Sequence, residues 1–84
     1  MSRIANYNLG AMDAHRILNF NSWAYDASSF FRWAISHPED ASPIITDLMR
    51  QSAALGHGER LQGFWHAVGV STDADYKQLC TIGA

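Results

Sequence analysis

The sequence predicts an all-α fold, a compact single-domain bundle of four to five short helices. Its 84 residues correspond to one domain in size. Hydrophobic residues make up 48% of the chain and charged residues 17%, a balance that supports a buried core and excludes intrinsic disorder. Apolar residues recur at helical spacing along most of the chain, whereas the strict alternation typical of strands is nearly absent.

The first half of the chain contains two predicted helices after an irregular start. Residues 1–9 show no clear period, and we expect them to be irregular or extended. Over residues 10–21 the apolar side chains fall mainly on one side of a helix. Ser22 then stands where the N-cap of a second helix would lie, over residues 23–36. Pro38 ends that helix, because the residue before a proline is pushed out of the α region.

The clearest helix signal covers residues 43–55. Ser42 can cap this helix, and Pro43 takes the first helical position, where a missing N–H costs nothing. Gly56 supplies the stop. The face that we expect to be buried consists of Ile44, Ile45, Leu48, Met49, Ser52 and Leu55.

Two further helices complete the predicted bundle. One covers residues 59–68 and ends at Gly69. The last begins after Thr72, which has the spacing of a capping box to Asp75. The inward-facing residues of this last helix are predicted to be Tyr76, Leu79 and Cys80.

Packing must hold these helices together, because each is too short to be stable alone in water. We expect the helices over residues 43–55 and 59–68 to lie antiparallel. The aromatic helix over residues 23–36 would then cross both of them.

Several classes of site lack a sequence signal. Cys80 is the only cysteine, so an intramolecular disulfide and a cysteine zinc cluster are excluded. No two histidines have the i, i+4 spacing of a helical metal site, and no catalytic motif is present. We therefore expect no metal, no cofactor and no enzymatic activity. The four histidines are His15, His37, His57 and His66.

The hydropathy pattern gives an expectation for location. No stretch approaches the ~18 uninterrupted apolar residues of a membrane-spanning helix. The N-terminal segment lacks the apolar run of a secretory signal. We therefore expect a cytoplasmic protein with no membrane partner.

Residues 61–80 resemble the helix-turn-helix motif of bacterial repressors. The resemblance is carried by a helix, a turn that contains Gly69, and a second helix. It implies DNA binding, for which Lys77 and Gln78 are the suitable side chains of the second helix. A nucleic-acid-binding regulator is therefore the alternative function.

Three features depart from that motif. Trp65 stands where the motif has a small residue, and Asp73 and Asp75 place two carboxylates in the first turn of the second helix, where phosphate would repel them. The net charge is −2, and the six basic residues lie at least ten positions apart. Nucleic acid requires a concentrated positive surface, so the sequence favours a partner other than DNA.

Aromatic residues, 12% of the chain, are the most informative group. Trp33 falls at the edge of the apolar face of its helix, beside Asp26 and His37, while Tyr25 falls on the polar side. Partly exposed tryptophan and tyrosine are the usual anchors of protein interfaces. Trp33, Tyr25, Asp26 and His37 are therefore the predicted protein-binding residues, with Trp33 as ordinary core the competing interpretation.

These observations favour a small non-enzymatic protein that acts by stoichiometric binding to another protein. Inhibitors made by phages and other mobile elements, anti-CRISPR proteins among them, have this general size and composition. No motif identifies such a family. A homodimer that uses the aromatic surplus as its own interface is a further expectation.

Overall fold

The computed structural model describes residues 2–84 and confirms the predicted all-α bundle. Within these residues there are five α-helices, one 3-10 turn at Ala27–Ser29 and no strand. None of the helices is both long enough and apolar enough to span a membrane. The helices are α1 (Arg3–Phe20), α2 (Phe30–Ser36), α3 (Pro38–Ser52), α4 (Glu59–Ala67) and α5 (Asp73–Gly83).

The closest helix crossing joins α1 to α4 at two glycines. An added Cβ at Gly10 would overlap the backbone carbonyl of Arg60 and lie 2.9 Å from the backbone nitrogen of Phe64. An added Cβ at Gly63 would overlap the carbonyl of Tyr7. The two backbones therefore touch directly, which only residues without a side chain permit.

The remaining helices pack around this pair, with α5 against α3 and α2 against both. The predicted antiparallel pairing of α3 with α4 is wrong, because α4 packs along α1 instead. The glycines explain the difference, since they let α1 and α4 approach more closely than larger side chains would. The largest fully buried side chains are Leu18, Phe30, Ile45, Leu48, Phe64, Val68 and Leu79.

Helix α1 begins earlier than predicted, so the irregular or extended start is wrong for residues 3–9; Met1 lies outside the described residues. The Ser2 hydroxyl caps the helix by accepting a hydrogen bond from the Ala5 N–H at 3.1 Å. The first half of α1 is only weakly amphipathic and gives little periodic signal. Its contacts with α4, through Tyr7 and Gly10, stabilise it instead.

The segment after α1 also differs from its prediction. Ser22 is not an N-cap: it has a left-handed backbone (φ 63°) and ends α1. The N–H of Ser22 donates to the Asn19 carbonyl and the N–H of Trp23 to the Leu18 carbonyl, the two bonds of a Schellman motif. The helix predicted over residues 23–36 therefore starts only at Phe30.

Helix α3 begins at Pro38 and continues through Pro43, so Ser42 is not its cap. Proline is favoured in the first turn of a helix, and Pro38 both follows the end of α2 and starts α3. The predicted buried face is confirmed: Ile45, Leu48 and Ser52 are buried, and the other three members are partly buried.

The last two helices follow the sequence closely. Helix α4 ends one residue before the predicted position and is followed by Gly69, whose φ of 93° suits glycine. Thr72 caps α5 by accepting from the Asp75 N–H at 3.1 Å. Leu79 is fully buried, whereas Tyr76 is 38% exposed and does not point wholly inward as predicted.

Candidate functional site

Four aromatic rings form a continuous row at one side of the molecule, which we call the aromatic edge: Tyr25, Trp23, Trp33 and His37. Trp23 is the centre, with ring centroids 5.3 Å from Tyr25 and 4.7 Å from Trp33. The His37 ring stacks on Trp33 at 5.2 Å with an interplanar angle of 16°. Three of the four predicted protein-binding residues therefore lie in one row.

Exposure changes along the aromatic edge. Tyr25 is 74% exposed, whereas Trp23 is 8% exposed and Trp33 is partly buried. The fully buried Phe30 lies beneath them, 5.3 Å from Trp23 and 5.9 Å from Trp33. Both ends of the row are thus exposed and its middle is buried, so Trp33 packs on the core and keeps part of its surface accessible.

The local backbone fixes both ends of the aromatic edge. His37 follows the last residue of α2, and its ring Nδ1 lies 3.1 Å from the Trp33 carbonyl oxygen. At the other end Tyr25 belongs to the irregular segment between Ser22 and the 3-10 turn. The sequence does not indicate Trp23 as a member of this surface, because Trp23 falls on the apolar face of the helix predicted over residues 23–36.

Asp26 is the N-cap of the 3-10 turn. Its carboxylate accepts a hydrogen bond from the Ser28 N–H at 3.2 Å and caps the 3-10 turn. The side chain is nevertheless exposed beside Tyr25, so the predicted binding role and the cap are compatible.

Ion pairs divide the charges of the molecule into two sets. Among residues 2–84, four arginines lie close to acids and form the pairs Arg3–Glu59, Arg16–Asp13, Arg50–Asp47 and Arg60–Asp13. Within the same residues Arg32 and Lys77 have no acidic partner. The acids that have no basic partner there are Asp26, Glu39, Asp40, Asp73 and Asp75. The unpaired charge is therefore mainly negative.

Three of these unpaired acids flank the aromatic edge. Asp26 follows Tyr25, while Glu39 and Asp40 follow His37 in the first turn of α3. Glu39, Asp40 and His37 also line one shallow depression. The aromatic edge thus has carboxylates at both ends.

A second feature, which the sequence did not predict, is a cleft of about 550 Å³ between the end of α3, helix α4 and the start of α5. Trp65 and Tyr76 meet in it with ring centroids 5.4 Å apart at 79°. Burial and the neighbouring Cys80 raise the pKa of Tyr76 above 10.0. Its hydroxyl therefore stays protonated at neutral pH.

Two histidines, His57 and His66, also line this cleft. The Tyr7 hydroxyl lies 2.9 Å from Nδ1 of His66 and holds the ring in place across the α1–α4 crossing. No group of three or more metal-ligating side chains occurs in the described part of the chain.

The residues of the alternative function lie apart from both features. Lys77 and Gln78 are exposed on α5, and α5 packs mainly against α3. In a helix-turn-helix the second helix packs on the first. Here α5 has α3 as its main packing partner, and its contact with α4 includes the rings of Trp65 and Tyr76.

Neither a protein-family model, nor a curated protein, nor a solved structure matches this chain. A function must therefore be argued from the geometry of the chain itself.

Proposed function

We propose that the protein acts by stoichiometric binding to another protein through the aromatic edge, with no chemistry of its own. The observation that carries this proposal is the continuous row of Tyr25, Trp23, Trp33 and His37, whose two ends are exposed and whose middle packs on the core. Interface hot spots are enriched in tryptophan and tyrosine.

The packing of these rings suits them for binding. Binding a flexible side chain costs about 0.5–1.5 kcal/mol in lost rotamer freedom. Trp33 is already held between Trp23 and His37, so most of that cost has been met during folding. The aromatic edge therefore offers a large apolar contact area at low entropic cost.

The charges favour a partner with a basic surface. Asp26 lies at one end of the aromatic edge, and Glu39 and Asp40 lie at the other, all three without a basic partner among residues 2–84. Complementary charge steers association and fixes the register of an interface. Arg32, on the exposed side of α2, is the nearby exception.

The experiment is affinity capture from cells of the source organism, with three purified variants compared with the wild type. Trp33→Ala and Tyr25→Ala should each weaken the captured complex by about 2 kcal/mol or more, roughly thirtyfold. Phe20→Ala is the matched control, because Phe20 is an aromatic residue that is 85% exposed and does not belong to the aromatic edge.

Two measurements separate binding from folding. Thermal unfolding of each free variant shows whether truncation of Trp33 acts through stability, while Tyr25→Ala should leave the unfolding temperature almost unchanged because its ring is largely exposed. Capture that survives Tyr25→Ala and a folded Trp33→Ala, but not Phe20→Ala, would place the interface elsewhere. An inhibitor from a phage or other mobile element stays one form that such a binder can take.

A further inference from the structure

The cleft between α3, α4 and α5 has the dimensions of a ligand site and is independent of the aromatic edge. Its volume of about 550 Å³ lies within the ~300–1,000 Å³ that small-molecule sites span. Apolar side chains, including Met49, Leu61 and Val70, form much of its lining, and polar groups such as Gln62 and Thr72 are distributed among them. Such a mixture is typical of sites that bind and orient an organic ligand.

Two aromatic rings meet in this cleft at nearly a right angle. Trp65 and Tyr76 have centroids 5.4 Å apart and an interplanar angle of 79°. The face of an aromatic ring carries partial negative charge and attracts a cation placed within about 6 Å of its centre. Tyr76 is 38% exposed and Trp65 only 8%, so Tyr76 offers the accessible aromatic surface and Trp65 forms part of the wall beside it. Aromatic surfaces of this kind are used by proteins to hold substituted ammonium groups.

The charged side chain that lines the cleft is negative, which suits a cation. Asp73 is the one carboxylate among the lining residues, and no lysine or arginine lines the cleft. Asp73 is exposed and has no basic partner among residues 2–84. The ionisable neighbours are His57, His66 and Tyr76, and the hydroxyl of Tyr7 can donate to Nδ1 of a neutral His66.

We propose that this cleft binds a small organic cation, a substituted ammonium group seated against the Tyr76 ring beside Trp65, with Asp73 at its rim. An anion is the less suitable ligand. Although the cleft reaches the first turn of α5, where a helix attracts negative charge, Asp73 and Asp75 already occupy that turn.

Choline is the probe, and 3,3-dimethylbutan-1-ol is its neutral isostere. Titration of the full chain with each compound, followed by the tryptophan side-chain N–H signals in an NMR spectrum, should show saturable binding of choline with a dissociation constant on the order of 10 mM, typical of so small a ligand. The neutral isostere should bind at least about tenfold more weakly, because it lacks the cation–π attraction.

Three variants test the named residues. Tyr76→Leu should weaken choline binding about tenfold, whereas Tyr76→Phe keeps the ring face and should bind like the wild type. Asp73→Asn should weaken it about two- to fivefold, an effect that added salt reduces because the carboxylate is exposed. Asp40→Asn is the matched control, since Asp40 is also an exposed acid in the first turn of a helix, outside the cleft.

Several results would overturn the assignment. One is the absence of a saturable shift of the tryptophan N–H signals on addition of choline. Another is equal affinity for choline and its neutral isostere. A third is an equal effect of Asp73→Asn and Asp40→Asn on choline affinity. Equal affinity would mean an apolar site without charge selectivity. None of these outcomes bears on partner capture through the aromatic edge, so this proposal and the proposed function fail or succeed separately.

Discussion

Replacing Gly63 with alanine should destabilise the fold, although the same change in most helices is stabilising. An added Cβ at Gly63 would overlap the carbonyl oxygen of Tyr7 and lie 2.8 Å from the carbonyl carbon. These are backbone atoms, so no side-chain rotation relieves the contact and α1 must move away from α4. Overpacking of this kind costs about 1–3 kcal/mol, and a backbone clash belongs at the upper end.

Helix propensity opposes this cost, since alanine is favoured over glycine by about 1 kcal/mol within a helix. The net expectation is a loss of about 2 kcal/mol, which lowers the unfolding temperature of a domain this small by roughly 8–16 °C. Thermal unfolding followed by circular dichroism at 222 nm measures it. Gly10→Ala should behave in the same way, because its added Cβ meets the carbonyl of Arg60.

The matched control for Gly63→Ala is Asn8→Ala, an exposed position in α1. Alanine there should change stability by no more than about half a kcal/mol and in the favourable direction. If Gly63→Ala raised the unfolding temperature as Asn8→Ala does, the backbones of α1 and α4 would not be in contact and the described crossing would be refuted.

Three further changes probe the core, the first turn and the cleft. Leu48→Ala should cost about 2–5 kcal/mol in chemical denaturation, because Leu48 is fully buried; a change under about half a kcal/mol would contradict that burial. Ser22→Gly should raise stability by about 0.5–1 kcal/mol. Glycine removes about 1–2 kcal/mol of strain from the left-handed backbone, and this gain exceeds the cost of the greater conformational entropy that glycine gives the unfolded chain. A lower unfolding temperature would contradict the left-handed conformation. The raised pKa of Tyr76 means that the unfolded chain loses this proton first, so native stability should fall as pH rises through about 10 and beyond. The Tyr76→Phe variant should lose less stability than the wild type between about pH 9 and 11. Absorbance at 295 nm follows tyrosine ionisation, and the pH titration of the difference in absorbance between the two proteins should have its midpoint above 10. A midpoint at or below 10 would contradict the raised pKa.

The sequence predicted the helices best where the helix signals are local. Helix α4 and the start of α5 were found within one residue, because a glycine after the first and a threonine cap before the second are encoded in adjacent positions. Proline was harder to interpret. The sequence predicts a helix start at Pro43, whereas α3 starts at Pro38. Both residues are compatible with the first turns of a helix, and periodicity alone does not choose between them.

The errors of the prediction come from tertiary contacts. The first half of α1 has a weak period, and its stability depends on packing against α4 through Gly10 and Gly63. The sequence also does not show which helices pack against each other. Gly10 and Gly63 lie more than fifty positions apart, and only the folded chain shows that each packs against the helix of the other. Periodicity identifies which face of a helix is buried, not which neighbour covers it.

The candidate site was partly predictable. Tyr25, Trp33 and His37 were selected for their positions around a helix that, in the structure, begins only at Phe30. Trp33 and His37 were placed correctly because they lie one turn apart at the end of α2. Tyr25 reaches the same row through the turn and the ring of Trp23, and the cleft needs three helices to come together before it exists.

The turn between α1 and the 3-10 helix combines two unfavourable features at the aromatic edge. Ser22 holds a left-handed backbone (φ 63°) without being glycine, which costs about 1–2 kcal/mol. The indole Nε1 of Trp23 is buried without a hydrogen-bond partner in the described structure, which costs about 1–3 kcal/mol. Together these features cost about 2–5 kcal/mol, which is large beside the net stability of about 5–10 kcal/mol that a small domain retains. Natural sequences tend to keep such local conflicts where a particular shape is used. Their position next to Tyr25 and Trp33 is therefore a further argument for the proposal that the aromatic edge binds a partner.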